Sequence, residues 1–120
     1  MRPSKEEAAL LMTDPDNPRI CIEVWEPIGL FGRARGLLGY AGIGLGRGFL
    51  IRAKWVHTVG MLFPIDVVHI SRKGRVIRVQ TMHPGRIGPC VLTARWVLEL
   101  DGGEAERLGI RVGGRLVKQR

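Results

Sequence analysis

The chain has 120 residues, of which 45% are hydrophobic and 25% are charged, and its formal net charge is +8. A domain of this length buries a core without disulfides or metal ions, and two cysteines, Cys21 and Cys90, supply neither a disulfide framework nor a metal-ligand spacing. No apolar run approaches the roughly 20 residues of a membrane-spanning helix. The first residues also lack a secretory signal, so we expect a cytoplasmic protein.

The charge is unevenly distributed along the chain. Residues 1–26 carry three basic and six acidic side chains, residues 27–98 carry eleven and one, and residues 99–120 carry five and four. So positive a middle segment indicates an anionic partner, such as a phosphate compound, a nucleic acid or an anionic surface. Arginine outnumbers lysine 15 to 4, so a codon bias toward arginine is an alternative source of the excess.

The first predicted elements are a helix and a strand. Ser4 and Glu7 fit a capping box, which predicts a short helix over residues 5–12, and two prolines end it by residue 18. Ile20, Ile22 and Val24 then alternate with more polar positions, which is typical of a half-buried strand. We expect residues 1–17 to form this helix and an extended lead-in, and residues 18–120 to form a single β-rich domain.

The next segment is rich in glycine. The apolar spacing of residues 31–38 predicts one or two helical turns, with Arg33 and Arg35 projecting from them. Six glycines follow within residues 36–48, which excludes a stable helix and predicts a mobile loop. A phosphate cradle is the alternative, although the spacing matches neither of the common glycine-rich phosphate motifs.

Short strands dominate the rest of the chain. Phe49 and Ile51 open one strand, and two β-rich runs are joined by a hairpin turn that contains Gly74. Further predicted elements are a loop (83–89), a strand around Leu98, a short helix (103–108) capped by Gly109, and a last strand (110–117). The predicted fold is mainly β, a small antiparallel β-sandwich or partly open barrel with two or three short helices.

Five segments form a recognisable set: RARGLLG at 33–39, HTVGMLFPIDVV at 57–68, GRV at 74–76, ARWVLEL at 94–100 and GEAERLGI at 103–110. Together these segments resemble the domain of unknown function 192 family. The resemblance covers roughly residues 18–117 and implies a compact β-rich fold, but no activity, since the family is uncharacterised. Val59 and His69 stand where the family usually has aromatic residues.

The richest chemistry lies between Trp55 and Asp66, which is the only acid among residues 27–98. A lone carboxylate in so positive a segment predicts either a fixed basic partner or a catalytic or binding role. In the structural interpretation, Asp66 accepts hydrogen bonds from an arginine and from backbone amides. His57 and Met61 have a spacing that suits a soft metal on a helix, but Gly60 and Pro64 argue against a helix there, so we predict no metal site and no cofactor.

Three hypotheses for function follow. The leading one is a non-enzymatic binding or accessory module for a small anionic ligand or a protein partner, with these ligand-binding residues: Arg35, Trp55, His57, Thr58, Asp66 and Arg86. The second is a non-specific binder of nucleic acid or anionic surfaces that uses Arg72, Lys73, Arg75, Arg78, Arg115, Lys118 and Arg120. The third is a hydrolase or lyase in which His57 and Asp66 form an acid–base pair.

Overall fold

The computed structural model describes residues 9–26 and 42–119. In chain order the elements are β1 (Ala9–Asp14), β2 (Asn17–Trp25), β3 (Arg47–Ile51), β4 (Ile65–Ser71), β5 (Val76–Met82), β6 (Ala94–Asp101), α1 (Glu104–Leu108) and β7 (Val117–Gln119). The predicted helix at 31–38 and most of the glycine-rich segment lie outside the described residues.

The strands form one seven-stranded sheet in the order β5-β4-β6-β3-β2-β1-β7. Strands β2 and β3 are parallel, and every other neighbouring pair is antiparallel. A parallel pair requires a long connection, which the residues between Trp25 and Arg47 provide. The mainly β fold is therefore confirmed. Within the described ranges there is one short helix instead of two or three, and the sheet does not close, so the sandwich or barrel arrangement is not confirmed.

The predicted helix over residues 5–12 is wrong where the structure describes it. Ala9–Asp14 is a strand that pairs with β2 on one side and β7 on the other. Met12 lies opposite both Ile22 and Lys118 in this register and is buried. Local helix propensity is weak compared with two rows of strand hydrogen bonds and the burial of such a side chain, so the tertiary partners determine the conformation.

The predicted last strand over residues 110–117 is also wrong, because β7 comprises only Val117–Gln119. The chain before it turns at Gly113, whose φ of 90° suits glycine, and Gly114 donates a 3.0 Å hydrogen bond to the carbonyl of Arg111. This segment then meets the β4–β5 hairpin, where the Leu116 N–H donates to the Gly74 carbonyl, and Val76 bonds to both Gly113 and Gly114. A turn held by one local bond and by contacts with β5 thus replaces the first part of the predicted strand.

Several other predictions for the described residues agree with the structure, although the strand predicted to open at Phe49 is β3 and already begins at Arg47. The alternating segment around Ile22 is β2, the strand around Leu98 is β6, and Gly74 turns the β4–β5 hairpin with a φ of 89°. The helix is α1, and Gly109 ends it in the left-handed conformation.

The two faces of the sheet bury different cores. On one face, Val68 and Leu100 pack with Ala105 of α1 in the larger core. On the other face, Ile65, Val67 and Val97 pack beneath residues that follow β3: Val56, Met61 and Phe63. The chain from Val56 to Phe63 therefore covers the face opposite α1 before it enters β4.

Candidate functional site

The segment after β3 pairs with the loop after β5 to form an irregular antiparallel ribbon. We call residues 54–59 and 85–91 the outer ribbon. Its backbone hydrogen bonds, each 2.8–2.9 Å long, join Thr58 to Arg86, Val56 to Gly88 and Lys54 to Val91. An isolated bridge pairs His57 with Ile87 at its centre. The prolines and glycines of the second segment predicted a loop, and the ribbon shows that this loop has a fixed partner.

Side chains alternate across the outer ribbon. Val56 and Thr58 point inward and are buried, whereas Trp55, His57 and Val59 are exposed. Trp55 is 48% exposed and Ile87 is 75% exposed. The Trp55 and His57 rings lie 6.3 Å apart with a tilt of 44°. The outer ribbon thus presents an aromatic and aliphatic surface around one imidazole.

The orientation of His57 is set by its own turn. Its Nδ1 accepts a 3.2 Å hydrogen bond from the backbone N–H of Val59. In the neutral ring this contact assigns the proton to Nε2, which is then a hydrogen-bond donor on the exposed side of the ribbon.

Thr58 has a structural position. Its side chain is fully buried, and its hydroxyl donates a 2.6 Å hydrogen bond to the His83 carbonyl. The same oxygen accepts a 2.9 Å hydrogen bond from the backbone N–H of Arg86. Because both functions of the hydroxyl are used, Thr58 joins the two segments of the ribbon instead of facing a ligand.

Asp66 is 2% exposed and lies on the face of β4 that packs against α1. Its Oδ2 accepts hydrogen bonds from the backbone N–H groups of Gly103 and Ala105 at 3.0 and 2.9 Å. Its Oδ1 accepts one from the Thr81 hydroxyl at 2.6 Å. The predicted backbone amides are confirmed, but among the described residues Thr81 stands in place of the predicted arginine.

His57 and Asp66 are not brought together. The outer ribbon covers the face of the sheet that carries Val67, whereas Asp66 lies on the α1 face with Val68. Both Asp66 oxygens are also occupied by hydrogen bonds. The arrangement therefore does not provide the acid–base pair that the hydrolase or lyase hypothesis requires.

The exposed charged side chains of this region are all basic. Residues 52–98, all of which the structure describes, contain eight basic side chains, and seven of these are exposed. Asp66 is the one acid in that range and it is buried, so this stretch exposes no carboxylate. Arg86 is free to face solvent, whereas the ammonium group of Lys54 is held by the carbonyls of Leu92 and Ala94. Arg35 lies outside the described residues.

Two acids that sequence reasoning did not single out hold the end of the glycine-rich segment. The Asp101 carboxylate accepts hydrogen bonds from the backbone N–H groups of Ile43 and Gly44 at 2.7 and 2.9 Å. Glu104 accepts the Gly46 N–H at 2.8 Å. No sequence motif marks such contacts, because they join residues nearly 60 positions apart.

Glu104 is also paired within its own helix. The guanidinium of Arg107 donates hydrogen bonds to both oxygens of Glu104 and holds the pKa of that carboxyl below its usual value. The same contact raises the pKa of Arg107. The pair lies three residues apart on α1, a spacing that brings side chains together on a helix.

A buried histidine is the second feature that the sequence did not reveal. His69 is 1% exposed on the β4 face that carries Val67, between Arg78 of β5 and Val97 of β6. Neither ring nitrogen has a hydrogen-bond partner of normal geometry. Burial lowers its pKa, the positive charge of Arg78 lowers it further, and the nearby Lys54 backbone partly opposes both effects.

A cavity of about 360 Å³ lies elsewhere, between the β1–β2 turn and the segment before β7. Its lining includes Asp14, Asp16, Arg111 and Arg115, and none of the residues of the leading hypothesis.

In the described ranges, no three His, Cys, Asp or Glu side chains are grouped to hold a metal ion. Among the same described residues, the one helix, α1, is not long and apolar enough to cross a membrane.

The chain resembles two proteins of known structure. One, from Sinorhizobium meliloti 1021, is named "putative transcription regulator"; it has a TM-score of 0.73 and 20% identity, with 93% of each chain covered. The other is a protein of unknown function from Novosphingobium aromaticivorans DSM 12444, with a TM-score of 0.74 and 18% identity. That match covers 92% of this chain and 84% of the other. At these identities the likeness shows the fold alone.

No curated protein matches the chain. The family model of the domain of unknown function 192, described as "Uncharacterized ACR", matches residues 15–118. This match spans most of the sequence and confirms the resemblance seen in its motifs. The chain therefore belongs to the domain of unknown function 192 family.

Proposed function

We propose that this protein is a non-enzymatic binding or accessory module, and that the exposed side of the outer ribbon binds a small anionic ligand. The observation that carries the proposal is the exposed pairing of Trp55 and His57 within a stretch that exposes seven basic side chains and no carboxylate. An anion placed there meets no like charge from this stretch. A flat aromatic side chain beside it supplies contact area for the uncharged part of a ligand.

Each residue of this surface has a distinct role. Arg86 supplies a guanidinium, which binds carboxylate or phosphate groups through charge-assisted hydrogen bonds. His57 offers its Nε2 as a donor, and Trp55 forms an apolar wall. Arg35 remains a predicted further contact to the anion.

Thr58 and Asp66 take indirect roles in this proposal. Thr58 fixes the spacing of the two ribbon segments through His83 and Arg86. Asp66 fixes α1 against β4 through Ala105. Both side chains are buried, so they support the surface without contacting the ligand.

A thermal-shift screen of the whole chain tests the proposal. Nucleotides, sugar phosphates and carboxylates are each measured at low and at high salt, with His57→Ala, Arg86→Ala and Arg19→Ala as variants. Arg19 is an exposed arginine on β2, so Arg19→Ala is the matched control for charge. We expect one class of anion to raise the Tm at both salt concentrations and both ribbon variants to lose that shift.

Two results would contradict the proposal. Shifts from every polyanion that vanish at high salt would mean that net charge alone attracts them. Equal losses in Arg19→Ala and Arg86→Ala would lead to the same conclusion.

One observation favours a second candidate, a non-specific nucleic-acid binder. An isolated bridge pairs Arg75 with Arg115, which brings the basic β4–β5 hairpin and the C-terminal segment together. Lys118 is engaged elsewhere, because its ammonium binds Glu26 and lies over the Trp96 ring. Arg120 lies outside the described residues. This candidate predicts that affinity for short DNA falls steeply with salt concentration, whatever the sequence.

A further inference from the structure

Strand β5 is one end of the hydrogen-bonded sheet. One side of β5 pairs with β4. On the other, outer side, Val76 bonds to Gly113 and Gly114 of the segment before β7. Beyond Val76, no backbone group of the described residues bonds to the outer side of β5. In an antiparallel pair, alternate residues direct their N–H and C=O groups away from the partner strand. With respect to the described ranges, residues 77–82 therefore form an unpaired edge.

The side chains beside this edge are positive or neutral. Arg78 is exposed on the face of β5 that carries Gln80, and its Nε donates a 3.2 Å hydrogen bond to the Gln80 side chain. Val79 packs toward the larger core on the other face. The hairpin at the start of the strand adds three more exposed cations: Arg72, Lys73 and Arg75. An additional strand would thus lie beside an edge with no exposed acid.

This charge pattern selects among possible occupants. A second copy of the chain would bring two positive edges together, and like charges on adjacent strands destabilise their pairing. A nucleic acid would satisfy the charges but not the free N–H and C=O groups of the strand. Residues 72–82 also contain no aromatic side chain on which a base could stack.

We infer that the β5 edge binds an extended acidic segment of a partner protein by strand addition. The partner strand pairs with residues 77–82 through its backbone, and its acidic residues alternate with apolar or β-branched residues. An acidic side chain then lies opposite Arg78, and an apolar one lies beside Val79 on the other face. This inference does not depend on the proposed anion site, which uses the outer ribbon.

The test uses a fluorescein-labelled octapeptide that alternates glutamate with valine. Its affinity for the whole chain is measured by fluorescence anisotropy, and amide hydrogen exchange is followed with and without peptide. We expect binding, together with slower exchange at outward-facing amides of residues 77–82. Two further peptides carry backbone N-methyl groups, one on the glutamates and one on the valines. In an extended strand the N–H groups of alternate residues point to the same side, so either those of the glutamates or those of the valines face β5. The peptide that is methylated on the facing residues loses binding, and the other peptide retains it.

Charge variants provide the matched comparison. Arg78→Glu places a like charge opposite the peptide glutamate and is expected to weaken binding about tenfold. Arg19→Glu makes the same change in net charge on β2, which does not pair with β5, and should leave the affinity unchanged. Circular dichroism of both variants verifies the fold.

Several outcomes would overturn the inference. Binding that survives both methylations, or that weakens equally in both charge variants, would mean attraction by charge alone. Short DNA that competes for the edge and slows the same amide exchange would assign the edge to nucleic acid. An absence of binding to the folded wild-type chain would also exclude this peptide chemistry.

Discussion

The Oδ2 atom of Asp66 on β4 accepts a 2.9 Å hydrogen bond from the backbone N–H of Ala105, 39 positions later in the chain. The helix α1 has no side-chain cap of its own, because its N-cap residue is Gly103. Asp66 therefore performs the capping role from a neighbouring strand and satisfies N–H groups that the first helical turn leaves unpaired. The isolated acid of the basic segment is a structural link between the sheet and the helix.

The first prediction concerns this link. Asp66→Asn removes the charge and replaces one acceptor oxygen by an NH2 group that cannot accept the N–H or O–H donors around it. Hydrogen bonds to charged groups contribute about 1.5–3 kcal/mol each, so we expect the free energy of unfolding to fall by about 2 kcal/mol. Urea denaturation followed by circular dichroism measures the change.

The control is Asp16→Asn, which alters an exposed aspartate in the β1–β2 turn. We expect a change within about 0.5 kcal/mol there, as for most surface substitutions. Equal stabilities of Asp66→Asn and wild type would show that the hydrogen bonds from Gly103 and Ala105 do not hold α1.

The second prediction separates a structural Thr58 from a ligand-binding one. Thr58→Val keeps the shape but leaves the His83 carbonyl and the Arg86 N–H without their buried partner, so we expect a loss of about 2 kcal/mol in unfolding free energy. Thr58→Ser keeps the hydroxyl and should recover most of that stability. If both variants unfolded like wild type, the hydroxyl would not stabilise the ribbon.

Much of the sheet could be predicted because its signals are local. Ile20, Ile22 and Val24 alternate with exposed or half-buried neighbours, and the structure buries all three in β2. Gly74 marked the hairpin because a left-handed turn residue is nearly always glycine, and its φ is 89°.

The errors arose where the partners are distant in sequence. The conformation of β1 depends on β7, and the Gln119 side chain bonds to the Thr13 hydroxyl across 106 positions. A capping-box pattern describes only a few neighbouring residues, so it cannot reveal this pairing. Likewise, the turn at Gly113 is held by contacts with Val76 of β5.

The arrangement of the candidate site residues depends on contacts that the sequence does not reveal. An arginine and backbone amides were predicted as partners of Asp66. The structure confirms the amides, but among the described residues Thr81 takes the place of the arginine, because the contacts depend on how α1 and β5 pack against β4. The alternation of buried and exposed residues around His57 emerges only when the outer ribbon forms, because its second segment contains prolines and glycines that predict a loop.

The third prediction tests the packing of β3 against β6. A Cβ atom at Gly48 would lie 2.8 Å from side-chain carbons of both Leu98 and Leu100, and 3.0 Å from the Glu99 carbonyl oxygen. The backbone oxygen cannot move aside easily, so we expect Gly48→Ala to lower the free energy of unfolding by about 2 kcal/mol. Thermal and urea unfolding measure the loss.

A comparison variant separates crowding from backbone conformation. Gly103 has open space around it but a φ of 92°, so Gly103→Ala should cost only about 1 kcal/mol through backbone strain. A Gly48→Ala variant as stable as wild type would show that β3 and β6 can separate slightly without loss.

The fourth prediction follows from the buried imidazole of His69, whose pKa burial holds below the usual value of 6.5. The folded protein disfavours the charged ring, whereas the unfolded chain takes up the proton at the ordinary pKa. The unfolded state therefore binds more protons below about pH 6.5, and the free energy of unfolding falls as the pH is lowered from 6.5 toward the pKa of the folded state.

His69→Phe removes the titrating group and retains a buried ring, so we expect its unfolding free energy to vary less between pH 7 and pH 5 than that of wild type. Urea unfolding at several pH values measures both slopes. A His69→Phe variant with the same slope as wild type would place the pH dependence on other groups.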